Sequence, residues 1–129
     1  MFFIQIAVLA ILHNKYWLAG FALGLACATK WSGLYFLVAL VIYILVMEIG
    51  KYRYLGYESP WFEVVKKKLP LRFIQFGLVP AITYIFSWIG WFITGNGWDR
   101  KYSKNIFISF GHYHQQILTF HSNLSEKHP

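Results

Sequence analysis

FIQFGLVPAITYIFSWIGWFI, residues 73–93, is the stretch that decides the fold class, because it contains no charged side chain. About 20 apolar residues in a helix span the roughly 30 Å hydrocarbon core of a membrane. The stretch therefore predicts a transmembrane helix. We expect a kink at Pro80, which has no backbone N–H and clashes with the preceding turn. Trp88, Trp91 and Phe92, near its far end, are typical of the aromatic residues that lie at a membrane interface.

The composition of the whole chain also indicates a membrane protein. Its 129 residues are 57% hydrophobic, 21% aromatic and 13% charged, whereas soluble proteins carry about 25% charged residues. The formal net charge is +7. Because no motif resembles a nucleic-acid-binding module, we interpret this charge as a signal of membrane topology and predict no nucleic-acid partner. The single cysteine, Cys27, excludes a disulfide framework and a thiolate metal cluster.

Two short apolar runs open the chain. Residues 2–12 reach only about 16 Å as a helix, roughly half of a crossing. We therefore interpret the chain as a piece of a larger membrane protein. Residues 16–29 reach about 21 Å, which predicts a shallow, tilted or buried helix. Gly20, Gly24 and Ala28 recur every four residues in this second run, and such a ridge of small residues favours close packing against another helix.

A third apolar run, residues 31–47, is long enough to cross, and we expect it to end at Glu48. Residues 1–47 thus form a first group of membrane helices, the first of them truncated and the second short. Residues 48–72 are predicted to be a loop. Its six basic residues are Lys51, Arg53, Lys66, Lys67, Lys68 and Arg72. Positive charge is typical of cytoplasmic loops, so we place this loop in the cytoplasm; the alternative is that its lysine cluster recognises anionic lipids.

Residues 94–129 are then extracytoplasmic. Within them, residues 104–124 place apolar side chains at the spacing of an amphipathic helix, which most simply lies along the membrane surface. His114 and His121 are seven residues apart and share one face of this helix. From their positions on this helix alone, we interpret both histidines as half-polar residues at the membrane interface.

The histidines of this segment do not predict a metal site. His112 and His114 lie about 200° apart on a helix, and no carboxylate or thiolate is spaced to complete a ligand set. Asp99 and Glu126 have no partner that the sequence identifies. We identify no cofactor, leave the need for a divalent cation open, and assign no catalytic residue.

An ordered set of motifs is nevertheless present over residues 16–129. They are ATKWSGLYF at 28–36, SWIGWF at 87–92, GWDR at 97–100, the pairs Tyr113-His114 and Phe120-His121, and the terminal His128-Pro129. In order and spacing this set resembles the middle to C-terminal part of the protein O-mannosyltransferase family, the dolichyl- or polyprenyl-phosphate-mannose:protein mannosyltransferases. His128-Pro129 resembles the start of that family's His-Pro-Tyr motif.

The resemblance implies an all-α, polytopic membrane helical bundle of the C-superfamily of membrane glycosyltransferases, with an extracytoplasmic amphipathic helix at the interface. Such enzymes transfer mannose from the lipid phosphate to a serine or threonine hydroxyl of a secreted or membrane protein. They act in the plasma membrane of bacteria or in the endoplasmic reticulum of eukaryotes. The family's acidic pair lies upstream of the residues present here, so we expect this piece alone to be inactive.

The resemblance also suggests candidate site residues. Lys30, with Trp31 beside it, is expected to contact the donor phosphate as a point charge. The alternative for Lys30 is a lysine that extends to lipid headgroups. His114, His121 and His128 are expected to face the acceptor as hydrogen-bonding groups.

Two other classes of protein stay open at this stage. A transporter segment also contains short helices of small residues and proline-kinked crossings. It is expected to place ionisable residues inside its crossings, and residues 73–93 contain none. A structural membrane-interaction module, which only docks a partner subunit, agrees with every compositional observation.

Overall fold

The computed structural model describes residues 1–123, and these residues contain helices and no β-strand. The all-α prediction is therefore confirmed. The helices are α1 (Phe2–Leu12), α2 (Tyr16–Thr29), α3 (Gly33–Tyr54), α4 (Pro60–Lys67), α5 (Leu69–Phe73), α6 (Val79–Ser87), α7 (Ile89–Ile93) and α8 (Ile106–Ser122), with a π-helical turn, Ile74–Leu78, between α5 and α6.

Two helical segments are long and apolar enough to cross a membrane. They are α3 and the continuous segment Leu69–Ser87, which joins α5, the π-helical turn and α6. The chain divides into two compact units, Met1–Ser87 and a second that begins at Trp88.

The core of the first unit is built largely from small side chains. Its buried members are Ala7, Ala10, Ile11, Ala19, Ala22, Leu23, Ile44 and Phe76. The helix α2 packs on α6 and on the turn before it through Gly20 and Gly24, which we call the glycine ridge. A Cβ atom added at Gly24 would lie 2.6 Å from Cβ of Thr83 and 2.9 Å from Cα of Pro80, and one added at Gly20 would collide with the carbonyl oxygen of Gln75. These separations admit only glycine, as the ridge predicts.

The π-helical turn lies immediately before Pro80. The N–H of Val79 donates to the carbonyl of Ile74, five residues earlier. Pro80 itself has no N–H to donate, and wide turns of this kind commonly absorb such an interruption of the helix. The irregularity expected at Pro80 therefore takes the form of a widened turn.

The helix α3 does not end at Glu48 but continues to Tyr54. The reason is that Glu48 is buried, 5% exposed, and forms an ion pair with Arg72, which is 8% exposed. Burial of both charges removes the interruption that a solvated carboxylate would cause. Residues 48–72 are accordingly not an extended loop, since they hold the end of α3, the whole of α4 and the start of α5.

The apolar stretch 73–93 is not one helix either. The helix α6 ends at Ser87, and Trp88 separates it from α7. The Ser87 hydroxyl donates to the carbonyl of Tyr84 over 2.6 Å, and such side-chain bonds to the preceding turn compete with the helical ladder.

The second unit is organised around α8. Asn105 precedes this helix, and its Oδ1 accepts from the N–H of Phe107 over 3.0 Å and so caps the first turn. Trp88 and Trp91 pack against Phe110 of α8 with ring centroids 5.6 Å apart in each case. The Trp88 ring meets Phe110 edge-on and the Trp91 ring is tilted against it, and aromatic pairs of this kind stabilise the packing of the second unit.

Candidate functional site

The turn that carries Lys30 and Trp31 joins α2 to α3. Lys30 is the extended residue after α2, with φ −156° and ψ 131°, and its carbonyl accepts from the N–H of Gly33 over 2.8 Å. A Cβ atom at Gly33 would lie 2.7 Å from the backbone carbon of Ala26. Glycine therefore lets the start of α3 approach the end of α2, and the exposed Lys30 side chain is held at this corner.

Trp31, the residue after Lys30, is held by a hydrogen bond to α6. Its Nε1–H donates to the hydroxyl oxygen of Tyr84 on α6 over 3.2 Å. The two side chains are 53 residues apart in sequence, so this bond ties the α2–α3 corner to the second candidate span. The structure thus fixes the backbone position from which Lys30 extends.

A cavity of about 270 Å³ lies beside Lys30. It is lined by Met1, Phe3, Ile4, Ala26, Thr29, Lys30, Ser32, Gly33 and Phe36. One ammonium group and two hydroxyl-bearing residues thus share a cavity with apolar side chains. Ser32 precedes α3 and its side chain makes no capping hydrogen bond, while the start of this 22-residue helix carries partial positive charge. Such an arrangement can accept an anionic head attached to a hydrocarbon chain.

His114 and His121 have different surroundings within the second unit. His114 is half-buried, with its ring 4.2 Å from that of Phe110 and 5.1 Å from that of Trp88, centroid to centroid. His121 is exposed and contacts Phe120 over 5.7 Å. His128 lies outside the described residues.

The same ring nitrogen carries the proton in His114 and in His121. Nδ1 of His114 lies 2.9 Å from the carbonyl oxygen of Phe110, and Nδ1 of His121 lies 2.8 Å from that of Ile117. A carbonyl oxygen only accepts, so Nδ1 donates in each case. In the neutral ring Nε2 is then the nitrogen that can accept a hydrogen bond.

Asp99, His112 and Tyr102 form a cluster that the sequence analysis did not identify. Oδ2 of Asp99 accepts from Nδ1–H of His112, and the Tyr102 ring stacks on the imidazole at 3.7 Å with an interplanar angle of 3°. Asp99 adopts the left-handed backbone region, with φ 60°. A carboxylate on Nδ1 orients an imidazole and favours Nε2 as its acceptor nitrogen.

The sequence analysis missed this cluster because it considered only spacings within one helix. Asp99 and His112 are 13 residues apart, on a turn and on α8. The turn-forming residues at 94–97 are the signal that could have predicted this cluster, because a turn there allows the chain to return alongside α8.

The loop that contains Asp99 is positively charged. Arg100 lies over the ring of Trp91 at 5.4 Å. A cavity of about 510 Å³ is lined by Gly95, Asn96, Gly97, Asp99, Arg100, Lys101 and Tyr102. Across residues 1–123 no three histidine, cysteine or carboxylate side chains are grouped so that they can hold a metal ion.

Comparison with known proteins identifies relatives of this chain. It is 33% identical to the polyprenol-phosphate-mannose–protein mannosyltransferase of Mycolicibacterium smegmatis and 29% identical to that of Mycobacterium tuberculosis, in both cases over 83% of this chain. A protein of the same name from Corynebacterium glutamicum is 26% identical over 82% of the chain. The chain spans 23% of the length of each of these relatives.

No family model and no solved structure matches the chain. The relatives nevertheless share one description, and the aligned share of the chain is large. The resemblance indicated by the motifs is therefore confirmed: this chain is a relative of the protein mannosyltransferases.

Proposed function

We propose that this chain is part of a membrane glycosyltransferase that transfers mannose from a polyprenyl or dolichyl phosphate to serine or threonine hydroxyls of proteins. The names of the relatives support the class of donor and of acceptor. Because the chain spans 23% of their length, the activity belongs to the complete protein. A transporter segment or a docking module is less favoured, since the relatives carry the names of transferases.

The observation that carries this proposal is the cavity beside Lys30. A polyprenyl phosphate joins an anionic head to a long hydrocarbon chain. The Lys30 ammonium, the Ser32 hydroxyl and the start of α3 suit the head, while Phe3, Ile4 and Phe36 suit the first isoprene units. Trp31, held by Tyr84, fixes the corner from which the lysine acts.

The role of Lys30 follows from the charge that develops during transfer. The acceptor hydroxyl oxygen forms a bond to the anomeric carbon, the bond from that carbon to the phosphate oxygen breaks, and a carboxylate elsewhere in the complete protein takes the hydroxyl proton. Negative charge then accumulates on the departing lipid phosphate. A cation placed at that phosphate stabilises the transition state more than the ground state.

The acceptor is proposed to contact the second unit. His114, His121 and His128 are its candidate contacts, each as a hydrogen-bonding group and not as a metal ligand. The Asp99–His112 pair adds a further oriented imidazole, because the carboxylate holds the proton on Nδ1 and Nε2 then accepts from a hydroxyl.

The proposed topology places the acceptor side outside the cell or in the lumen. The basic residues between 48 and 72 favour the cytoplasm for that part of the chain, and residues from 94 onward then lie on the extracytoplasmic face. The helix α8 leaves Phe107, Ile108, Leu118 and Phe120 exposed in the second unit. Exposed apolar residues of this kind support the proposal that α8 lies along the membrane surface, in contact with its lipids.

Transfer of radiolabelled mannose from a lipid phosphate to serine- and threonine-rich peptides tests this function. The complete gene is expressed in membranes that lack the activity, as the parent and as Lys30→Ala. Loss of one charge-assisted phosphate contact is expected to lower kcat/KM at least about tenfold. Lys15→Ala removes an exposed lysine from the other end of α2 and is expected to leave the rate unchanged.

Two results would contradict this reasoning. Full activity and unchanged donor affinity in Lys30→Ala would remove the phosphate contact. Single cysteines introduced between residues 48 and 72 and after residue 94, in a complete protein from which Cys27 and any other native cysteine have been removed, report the topology through a membrane-impermeant thiol reagent. Labelling of both positions from the same side of the membrane would exclude the proposed orientation.

A further inference from the structure

The buried ion pair of the first unit leaves one carboxylate oxygen unsatisfied. Nε and Nη2 of Arg72 both donate to Oε1 of Glu48, the first over 3.0 Å. Nη1 of Arg72 donates to Oε1 of Gln75 over 2.6 Å, and the guanidinium lies 3.7 Å from the ring centre of Tyr16. The donors of Arg72 are therefore committed to one oxygen of Glu48 and to Gln75.

Oε2 of Glu48 is buried and has no hydrogen-bond partner among residues 1–123. A buried acceptor without a donor is costly, and more so when it carries charge. Native structures rarely leave such an atom unsatisfied. A donor from outside the chain would remove this cost.

Glu48 is also one of the residues that line a cavity beside α3. The cavity has a volume of about 230 Å³ and is lined by Ile11, Leu12, Asn14, Tyr16, Tyr43, Ile44, Met47, Glu48 and Lys51. Lys51 is three residues after Glu48 and so projects from the same face of α3. Oδ1 of Asn14 accepts from the Tyr16 hydroxyl over 3.0 Å, so the amide nitrogen is the group that Asn14 can offer to a ligand.

The cavity thus combines a carboxylate, an ammonium group and an amide with apolar walls. A ligand that fits this pattern carries a hydrogen-bonding cation, an anion a few bonds away from it and a hydrocarbon chain. The cavity lies beside α3, which is long and apolar enough to cross a membrane. A membrane lipid with a zwitterionic head meets all of these requirements.

We infer that this cavity binds the headgroup of a phospholipid with a primary ammonium, of the phosphatidylethanolamine class. The lipid ammonium donates to Glu48, the phosphate accepts from Lys51 and Asn14, and the adjoining part of the lipid lies along Leu12 and Met47. A choline headgroup has the same charges but no N–H, so it cannot satisfy the carboxylate. The site is separate from the cavity at Lys30 and does not depend on the proposed transferase activity.

Lipid binding to the complete protein, purified in detergent and stripped of lipid, tests the inference. Native mass spectrometry measures the apparent Kd of phosphatidylethanolamine and phosphatidylcholine with identical acyl chains. Because one charge-assisted hydrogen bond distinguishes them, phosphatidylethanolamine is expected to bind at least about tenfold more tightly. Soluble glycerophosphoethanolamine is expected to bind more weakly than the lipid, because it does not bury hydrocarbon.

Substitutions at the edge of the cavity avoid breaking the ion pair. Lys51→Met keeps an apolar side chain but loses the charge, and is expected to weaken phosphatidylethanolamine about tenfold. Lys66→Met, at an exposed position of α4, is the matched control and is expected to bind as the parent does.

Three results would overturn the inference. Equal affinity for the two lipids in the parent would show that no donor is recognised. An unchanged affinity in Lys51→Met would remove the phosphate contact. Binding of glycerophosphoethanolamine as tightly as the lipid would show that the cavity takes a soluble headgroup and not a lipid.

Discussion

The close approach of α2 to α6 makes the first unit sensitive to any side chain added at Gly24. We predict that Gly24→Ala destabilises the protein, although alanine is the better helix former by about 1 kcal/mol. The new methyl group would lie 2.6 Å from Cβ of Thr83 and 2.9 Å from both Cα and the carbonyl oxygen of Pro80. Two of these three atoms belong to the backbone, so a rotamer change cannot relieve the overlap.

The size of the effect follows from these distances. Carbon atoms in contact are about 3.5–4.0 Å apart, so the two helices must separate by about 1 Å. Overpacking of this kind costs about 1–3 kcal/mol. Gly50→Ala provides the matched control, because Gly50 lies within α3 and a Cβ atom there has no neighbour within 4 Å. That substitution is expected to stabilise by about 0.5–1 kcal/mol.

Both variants of the complete protein are unfolded in mixed micelles with increasing mole fractions of sodium dodecyl sulfate, and helix content is followed by circular dichroism. The free energies of unfolding are expected to differ by about 1–3 kcal/mol, with Gly24→Ala the less stable, because both variants share the gain in helix propensity. If the two substitutions shifted the transition equally, the glycine ridge would not be the surface on which α2 and α6 pack.

Three further predictions concern polar contacts, and each uses a different measurement. Glu48→Gln should lower the free energy of unfolding by about 3 kcal/mol, because Arg72 is left as an uncompensated buried charge. The double variant Glu48→Leu with Arg72→Met should recover most of this loss in the same micelle titration. If the double variant recovered no stability, burial of an unpaired charge would not be the cause of the loss. Asn105→Ala should cost about 1 kcal/mol through loss of the α8 cap, and Asn105→Asp should cost little; equal losses, measured by amide hydrogen exchange in the first turn of α8, would exclude capping. Asp99→Asn should accelerate proteolysis at Arg100 and Lys101 by trypsin, because the loop loses its charge-assisted bond to His112; an unchanged cleavage rate would show that this bond does not order the loop.

The sequence predicted those helices whose ends are marked by residues close to them in the chain. The second apolar run was expected at 16–29 and α2 is Tyr16–Thr29, because Lys15 and Lys30 flank a run without charge. The glycine ridge was equally readable, since its four-residue period is local.

The errors arose where a side chain has a partner far along the chain. Glu48 was expected to end a helix, and Arg72 was assigned to a basic loop, yet the two residues neutralise each other across 24 positions. The Asp99–His112 pair was missed for the same reason. The candidate residues Lys30, Trp31, His114, His121 and His128 remain proposals for the function that their motifs suggest.

The π-helical turn before Pro80 also has a consequence for how this protein can change during evolution. A helix advances about 100° with each residue, so an insertion or deletion within Ile74–Leu78 would rotate everything after it relative to Arg72. Arg72 would keep its place beside Glu48, but Pro80 and Thr83 would turn away from Gly24. Selection is therefore expected to tolerate exchanges among apolar side chains in these five positions while holding their number constant.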